Sequence, residues 1–197
     1  MTTRPHSRKE LVKLTVDPRD TCIELGCFRG DFTVEILPYC DKLICVDNFQ
    51  GVIPIWTGER FVTWGGDDAR EAFLDRFKRE LATGKVVLIE GDAEDVMADM
   101  KDLSADWIYV DANHDYDAVL DNLWEADRVI RRWICGHDYC MCNNFGVVRA
   151  VAVFLDRTGY ELDYLTAEPP FHVFDGTEQP STKVSYDSFG IRKKDTK

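Results

Sequence analysis

Apolar and polar positions fall into alternating short blocks along this chain. Residues 21–25 (Thr-Cys-Ile-Glu-Leu) are a short, nearly continuous apolar run and predict a buried first strand. A helix opens at Asp31 and runs to Leu37, where Pro38 helps to end it. Residues 42–46 predict a second strand. Ala69, Ala72, Phe73, Phe77 and Leu81 then recur at helical spacing across 67–83, with Gly84 as the stop. Residues 86–89 are continuous in branched apolar side chains, as central parallel strands are. Residues 107–110 predict a fourth strand. Across 116–131, Val119, Leu120, Leu123, Ala126 and Ile130 share one helical face. A short fifth strand is expected at 133–135. A helix follows over 146–158, with Val147, Val151, Phe154 and Leu155 inward and Gly159 as its cap. Residues 161–165 and 184–191 are strand-like with no helix between them, which predicts an antiparallel hairpin at a sheet edge.

Strands alternating with helices give an α/β chain: a Rossmann-like three-layer sandwich, mostly parallel, with a C-terminal antiparallel hairpin. Its 197 residues fit one domain, 1–197. Two stretches break the rhythm. Residues 49–66 hold Trp56, Phe61 and Trp64 among glycines and a proline, and 167–182 are rich in proline and polar groups. Both are expected to be loop insertions or lids.

Charge and cysteine content narrow the partners. A net charge of −12 opposes binding to a phosphate backbone, so nucleic acid is not an expected partner. The basic groups Arg76, Lys78, Arg79 and Arg128, Arg131, Arg132 fall on expected helices as solvated faces. No apolar run reaches the roughly 18 residues of a membrane span, and residues 1–13 have no signal-like apolar core. A cytoplasmic chain is expected, and a homo-oligomer is compatible with the sequence. Of 7 cysteines, Cys22, Cys27, Cys40 and Cys45 lie in or near strands and read as reduced, buried thiols. Cys135, Cys140 and Cys142 cluster near His137, but their spacing matches no zinc-finger or knuckle pattern.

Candidate chemistry gathers where strands end. Glu24-Leu25-Gly26-Cys27-Phe28-Arg29-Gly30 turns the first strand into the first helix. Glycines there let a ligand approach the backbone, next to free N–H donors. The spacing is GxxxG rather than the GxGxxG of a dinucleotide site. Asp47, followed by Asn48, ends the second strand about 20 residues later, where a carboxylate can accept ribose hydroxyls. Asp92 and Ala93 follow the third strand; Asp92 suits an adenine amino group, a helix N-cap, or both. Asp111-Ala112-Asn113-His114-Asp115-Tyr116 ends the fourth strand, and Gly136-His137-Asp138-Tyr139 the fifth. Asp111 and Asp138 could converge on one hard cation such as magnesium or manganese, leaving His114 to act as a base near neutral pH.

Together these strand ends resemble the class I S-adenosylmethionine-dependent methyltransferases, over roughly residues 21–192. D-x-x-H-x-Y followed by G-H-D-Y, then Gly146-Val147 and Ala150-Val151, is similar to a branch of metal-dependent O-methyltransferases that includes relatives of the cephalosporin hydroxylases. The resemblance implies a cofactor pocket of Glu24, Gly26, Gly30, Asp47, Asn48, Asp92, Ala93 and Asp111. It implies Asp111, Asp138 and His137 as metal ligands, His114 as general base, and a small-molecule or saccharide hydroxyl as methyl acceptor. Two departures stand out: Arg131-Arg132-Trp133 replaces a glycine-rich turn, and His137-Asp138 replaces two adjacent acids. The competing readings are an NAD-dependent oxidoreductase on the same sheet, a non-catalytic S-adenosylmethionine-binding module, and an aminopropyl transferase.

Overall fold

The computed structural model describes residues 4–56, 61–141, 145–172 and 183–194, with only the backbone described over 52–56, 61–64, 171–172 and at 183. In chain order the elements begin α1 (Arg8–Thr15), β1 (Thr21–Leu25), α2 (Thr33–Ile36), a short 3-10 turn (Leu37–Tyr39), β2 (Lys42–Asp47), β3 (Val52–Trp56) and β4 (Phe61–Gly65). They continue α3 (Asp67–Arg76), α4 (Lys78–Thr83), β5 (Val86–Glu90), α5 (Ala93–Asp99), β6 (Ala105–Val110), α6 (Tyr116–Val129) and β7 (Ile130–Tyr139). The last are α7 (Val147–Thr158), β8 (Leu162–Leu165), β9 (Phe171–His172), β10 (Lys183–Val184) and β11 (Asp187–Arg192).

Seven strands form one sheet in the order β5-β2-β1-β6-β7-β11-β8. β5, β2, β1, β6 and β7 are mutually parallel, and β11 runs antiparallel to both β7 and β8. This is the expected Rossmann-like sandwich, with the C-terminal strands antiparallel. β11 inserts between β7 and β8, so the last long strand lies inside the sheet and β8 forms the edge. The strand order reverses between β1 and β6, which opens a crevice at the carboxyl ends of those strands.

Each face of the sheet has its own core. Leu123, Ala126, Val147, Val151 and Phe154 of α6 and α7 pack with Ile23, Leu25, Ile108 and Ile134 on one face. Leu11 and Val12 of α1, Ile36, Phe73 and Phe77 pack with Cys22, Leu43, Trp107 and Cys135 on the other. Cys22, Cys27, Cys40 and Cys45 are free and buried, as expected. No helix among the described residues is long and apolar enough to cross a membrane.

Several local expectations differ. Helix α1 precedes the first expected element. Ser7 caps it by accepting from Glu10 N at 3.3 Å, while Glu10 Oε2 reaches one residue further back and accepts from His6 N at 2.7 Å. The expected helix over 67–83 breaks at Phe77, which takes a non-helical conformation between α3 and α4. β7 is much longer than 133–135, because its partners β6 and β11 extend the ladder on both sides. Within 49–66 the backbone forms the β3–β4 hairpin rather than an irregular loop. The side chains of Trp56, Phe61 and Trp64 lie outside the described residues, as does most of 167–182, where β9 and β10 pair. Arg128, Arg131 and Arg132 form no free basic patch. They are engaged by Glu125 and Asp102, by Asp106, and by Asp20.

Candidate active site at the carboxyl rim

Gly26, Asp47, Asp92 and Asp111 each lie immediately or within two residues beyond the parallel strands, or at their last position, and Asp138 lies in the last turn of β7. The ladder itself holds these turns together: Gly26 N donates to Val46 O at 2.8 Å, Gly91 N to Asp47 O at 3.1 Å, and Asp111 N to Leu25 O at 3.0 Å. Gly26 has φ +82°, and a Cβ there would lie 2.0 Å from the backbone oxygen of Asp111. The glycine turn is therefore pressed against the end of β6, which only a residue without a side chain allows.

On the β1, β2 and β5 side Glu24, Asp47 and Asp92 have neutral donors, while the exposed Glu90 at the end of β5 pairs with Arg70. Asp47 Oδ2 accepts from Phe28 N and Oδ1 from Phe49 N, each at 2.7 Å. Phe28 and Phe49 both have positive φ, so this carboxylate pins two strained turn residues. Burial raises the Asp47 pKa, with the two amide bonds opposing it. Asp92 Oδ1 accepts from Asn48 Nδ2 at 2.6 Å; its side chain makes no cap bond to α5, so the N-cap role is not used. Ala93 is the buried first residue of α5. Glu24 is buried beneath the turn. Its Oε2 accepts from Thr33 Oγ1 at 2.6 Å, and burial pushes its pKa up to about 8. Gly30 (φ +81°) lies against the Phe77 and Phe73 rings, a packing position.

The β6–β7 side is built differently. Asp111 follows β6, and His137 and Asp138 end β7. His114 Nε2 lies 2.6 Å from Asp138 Oδ2 and 3.8 Å from Asp111 Oδ1. His137 Nδ1 lies 3.3 Å from Asp138 Oδ1 and 3.7 Å from Asp111 Oδ1. His114 Nε2 is buried yet has no aligned hydrogen-bond partner, so its closeness to Asp138 is a contact of charge rather than of N–H direction. Asp138 has φ +53°, a left-handed conformation within the last turn of β7. Burial opposes charge on both histidines, but the flanking aspartates outweigh it and raise each imidazole to about 10. The same pairing drives Asp138 far below the ordinary carboxylate range, against its own burial. Asp111 is lowered as well, by His137 and His114 against burial.

One ligand atom each from Asp111, His114 and Asp138 lie within 4.8 Å of one another. That is a donor set of two carboxylates and an imidazole, suited to a divalent cation. The structure thus brings His114, expected as a base, into the same group as the two aspartates. No cysteine joins it: Cys135 is a free, buried thiol, Cys140 is disulfide-bonded, and Cys142 lies outside the described residues.

Sequence reading missed three neighbours of this rim. The Phe145 ring stacks on His114, with centroids 4.5 Å apart. Thr33 Oγ1 donates to Glu24 Oε2 at 2.6 Å. Arg8 sits over the Phe32 ring at 4.6 Å. The Ser7-x-x-Glu10 pattern signals the helix that carries Arg8; nothing local marks the other two.

No curated protein matches this sequence. The fold is similar to many solved structures. An rRNA methylase from Streptococcus thermophilus is 13% identical with a TM-score of 0.60, covering 98% of each chain. A precorrin-6y C5,15-methyltransferase from Geobacter metallireducens is 12% identical with a TM-score of 0.60, covering 94% of this chain and 87% of that one. Fibrillarin from Aeropyrum pernix, with natively bound S-adenosyl-L-methionine, is 13% identical with a TM-score of 0.56, covering 93% and 70%. At such identities these likenesses concern the fold. The sequence family described as "Methyltransferase domain" matches residues 23–139, which span β1 to the end of β7 and hold every rim residue named above except Arg8 and Phe145, and the chain belongs to that family.

Proposed function

We propose that this chain binds S-adenosylmethionine over the Gly26 turn and transfers its methyl group to an oxygen of a small-molecule or saccharide acceptor. The reading further holds that Asp111, His114 and Asp138 bind a divalent cation, magnesium or manganese, beside that acceptor. The observation that carries it is the convergence of these three side chains at the end of β6 and β7, with Gly26 pressed against Asp111. Family membership supports methyl transfer over the nicotinamide alternative, as does the absence of GxGxxG.

The protein's own groups would act as follows. Asp47 keeps lone pairs beyond its two amide bonds and accepts ribose hydroxyls. Asp92 and Ala93 border the adenine. Gly26 lets the aminoacyl end of the cofactor lie on backbone. Asp111 and Asp138 supply hard oxygen ligands, and the buried Nε2 of His114 completes the set. A bound divalent ion would supply Lewis acidity and charge neutralisation at the acceptor oxygen. Phe145 fixes the His114 ring by stacking. His137 Nδ1 lies 3.3–3.7 Å from the same carboxylates and stands outside the closest triad. Ligation and the base role both need His114 Nε2 without its proton, which the two carboxylates retain; a bound cation would displace that proton, so ligation is the role proposed here.

Isothermal titration with manganese and S-adenosylhomocysteine, beside a methyl-transfer assay on an acceptor panel, tests the reading. If His114 is a ligand, His114→Ala loses manganese affinity and activity together. Retained manganese affinity with lost activity would return His114 to the base role. Cofactor binding with no transfer to any acceptor would favour the non-catalytic module.

A further inference from the structure

Arg8 is a cation whose guanidinium makes, among the described residues, a ring contact but no hydrogen bond or ion pair. It is half-buried at the start of α1, and its guanidinium lies 4.6 Å over the Phe32 ring. Phe32 in turn packs on Tyr109 with centroids 4.3 Å apart, so the platform is rigid. The helix is fixed from two sides: Ser7 caps it, and the Arg8 backbone N–H donates to the Glu168 carboxylate. Arg8 thus has a defined place rather than a solvated one.

The surroundings of the guanidinium are acidic. Burial works against its charge, and Tyr109, Asp111, Glu168 and Glu24 more than offset that. Glu24 and Asp111 are the residues beneath and beside the glycine turn, so Arg8 looks onto the part of the cleft where the aminoacyl end of a cofactor and the acceptor would meet. Yet among the described residues its side chain makes no hydrogen bond and no ion pair, in contrast with Arg128, Arg131 and Arg132. None of its nitrogens is sealed from solvent. Five N–H donors in a planar fork therefore face the cleft unused. A fork of this kind fits a carboxylate in bidentate fashion. In a chain of net charge −12, an anionic ligand group needs such a local cation to dwell at the cleft.

We propose that Arg8 receives a ligand carboxylate in the methyl-transfer cleft. The inference rests on the function proposed above. Two sources share this chemistry: the aminoacyl carboxylate of the methyl donor, and a carboxylate on the acceptor.

Calorimetry on wild type, Arg8→Gln and Arg8→Lys separates them. The probes are S-adenosylhomocysteine and 5′-methylthioadenosine, which lacks the aminoacyl end, and then benzoate against benzyl alcohol on the S-adenosylhomocysteine complex. With the donor as source, Arg8→Gln weakens S-adenosylhomocysteine by about 10–100-fold, the scale of a charge-assisted bond, and leaves methylthioadenosine unchanged. With the acceptor as source, S-adenosylhomocysteine binding is unchanged, wild type binds benzoate in preference to benzyl alcohol, and Arg8→Gln loses that preference. Arg8→Lys keeps the charge without the fork, so it should fall between the two and serves if Arg8→Gln does not fold. Equal behaviour of a folded variant and wild type in both arms overturns the inference. Wild type that fails to bind S-adenosylhomocysteine at all overturns the underlying function instead.

Discussion

At the β1–β2–β5 end of the cleft Glu24, Asp47 and Asp92 are each answered by a neutral donor, whereas at the β6–β7 end two acids face two imidazoles. Glu24 has a threonine hydroxyl, Asp47 two backbone amides, and Asp92 a side-chain amide. These bonds orient each group within the fold and leave lone pairs over for a ligand. Among the described residues the carboxylates of Asp111 and Asp138 lie in contact with His114 and His137, and the buried His114 Nε2 has no aligned bond. A buried polar atom without a bond is costly, and Asp138 adds a left-handed backbone. Under the proposed function the first end would take the nucleoside, and the second, whose carboxylates accept no aligned hydrogen bond among the described residues, would take the cation.

The sharpest way to break this contrast is to disable one end and read the other. Asp138→Asn is expected to lower manganese affinity by more than about 100-fold, since even indirect supports of a metal ligand cost roughly 10–100-fold. S-adenosylhomocysteine binding should be largely unchanged, and methyl transfer should fall with the metal. Calorimetry with each ligand separately checks this, and parallel loss of both ligands would merge the two ends into one site.

Gly26→Ala is the reverse experiment. The added Cβ meets the Asp111 backbone oxygen at 2.0 Å in a φ of +82°. Strain of about 1–3 kcal/mol and loss of cofactor binding are expected, read by urea melts and titration. Because Asp111 is the residue displaced, a smaller decline in manganese affinity should accompany it.

Asp47→Ala removes the acceptor of two amide bonds, Phe28 N and Phe49 N. A destabilisation of about 1.5–3 kcal/mol is expected, with weaker S-adenosylhomocysteine binding and little change for manganese. Chemical denaturation and calorimetry would show it.

Glu24 gives the gentlest test, through pH. Its carboxyl titrates near 8 in the fold, above its ordinary 4.5, because it is buried. The folded state therefore holds a proton that the unfolded chain releases, and stability falls with rising pH over that interval. The contribution is fully present below about 4.5 and is lost as pH rises through about 8. Glu24→Gln should flatten this fall and melt above wild type at pH 9. Thermal melts at pH 5 and pH 9 decide it; an unchanged slope would mean that Glu24 is charged in the fold.

Much of the sheet was legible because buried parallel strands are short apolar runs, and 21–25, 42–46 and 86–89 each coincide with a strand to within a residue. β7 was read short because residues near its two ends, Arg131, Arg132, His137 and Asp138, are polar. Arg131 and Arg132 are satisfied by Asp106 and Asp20 from neighbouring segments, a pairing no local pattern reveals. The strand-end acids were visible through their register with the glycine turn. What each acid pairs with was not, since Asp47 bonds Phe28 and Asp138 meets His114 only through the fold. Helix α1 was overlooked because its few apolar residues, Leu11 and Val12, sit among charges, although its capping pattern is present in the sequence.

The central claim is that cofactor and cation share one cleft, at neighbouring ends of the same sheet. Manganese-induced relaxation of the protons of bound S-adenosylhomocysteine measures this directly. The account predicts strong broadening of the protons flanking the thioether in wild type, abolished in Asp138→Asn while S-adenosylhomocysteine stays bound. Bound S-adenosylhomocysteine whose protons are unaffected by manganese would contradict it.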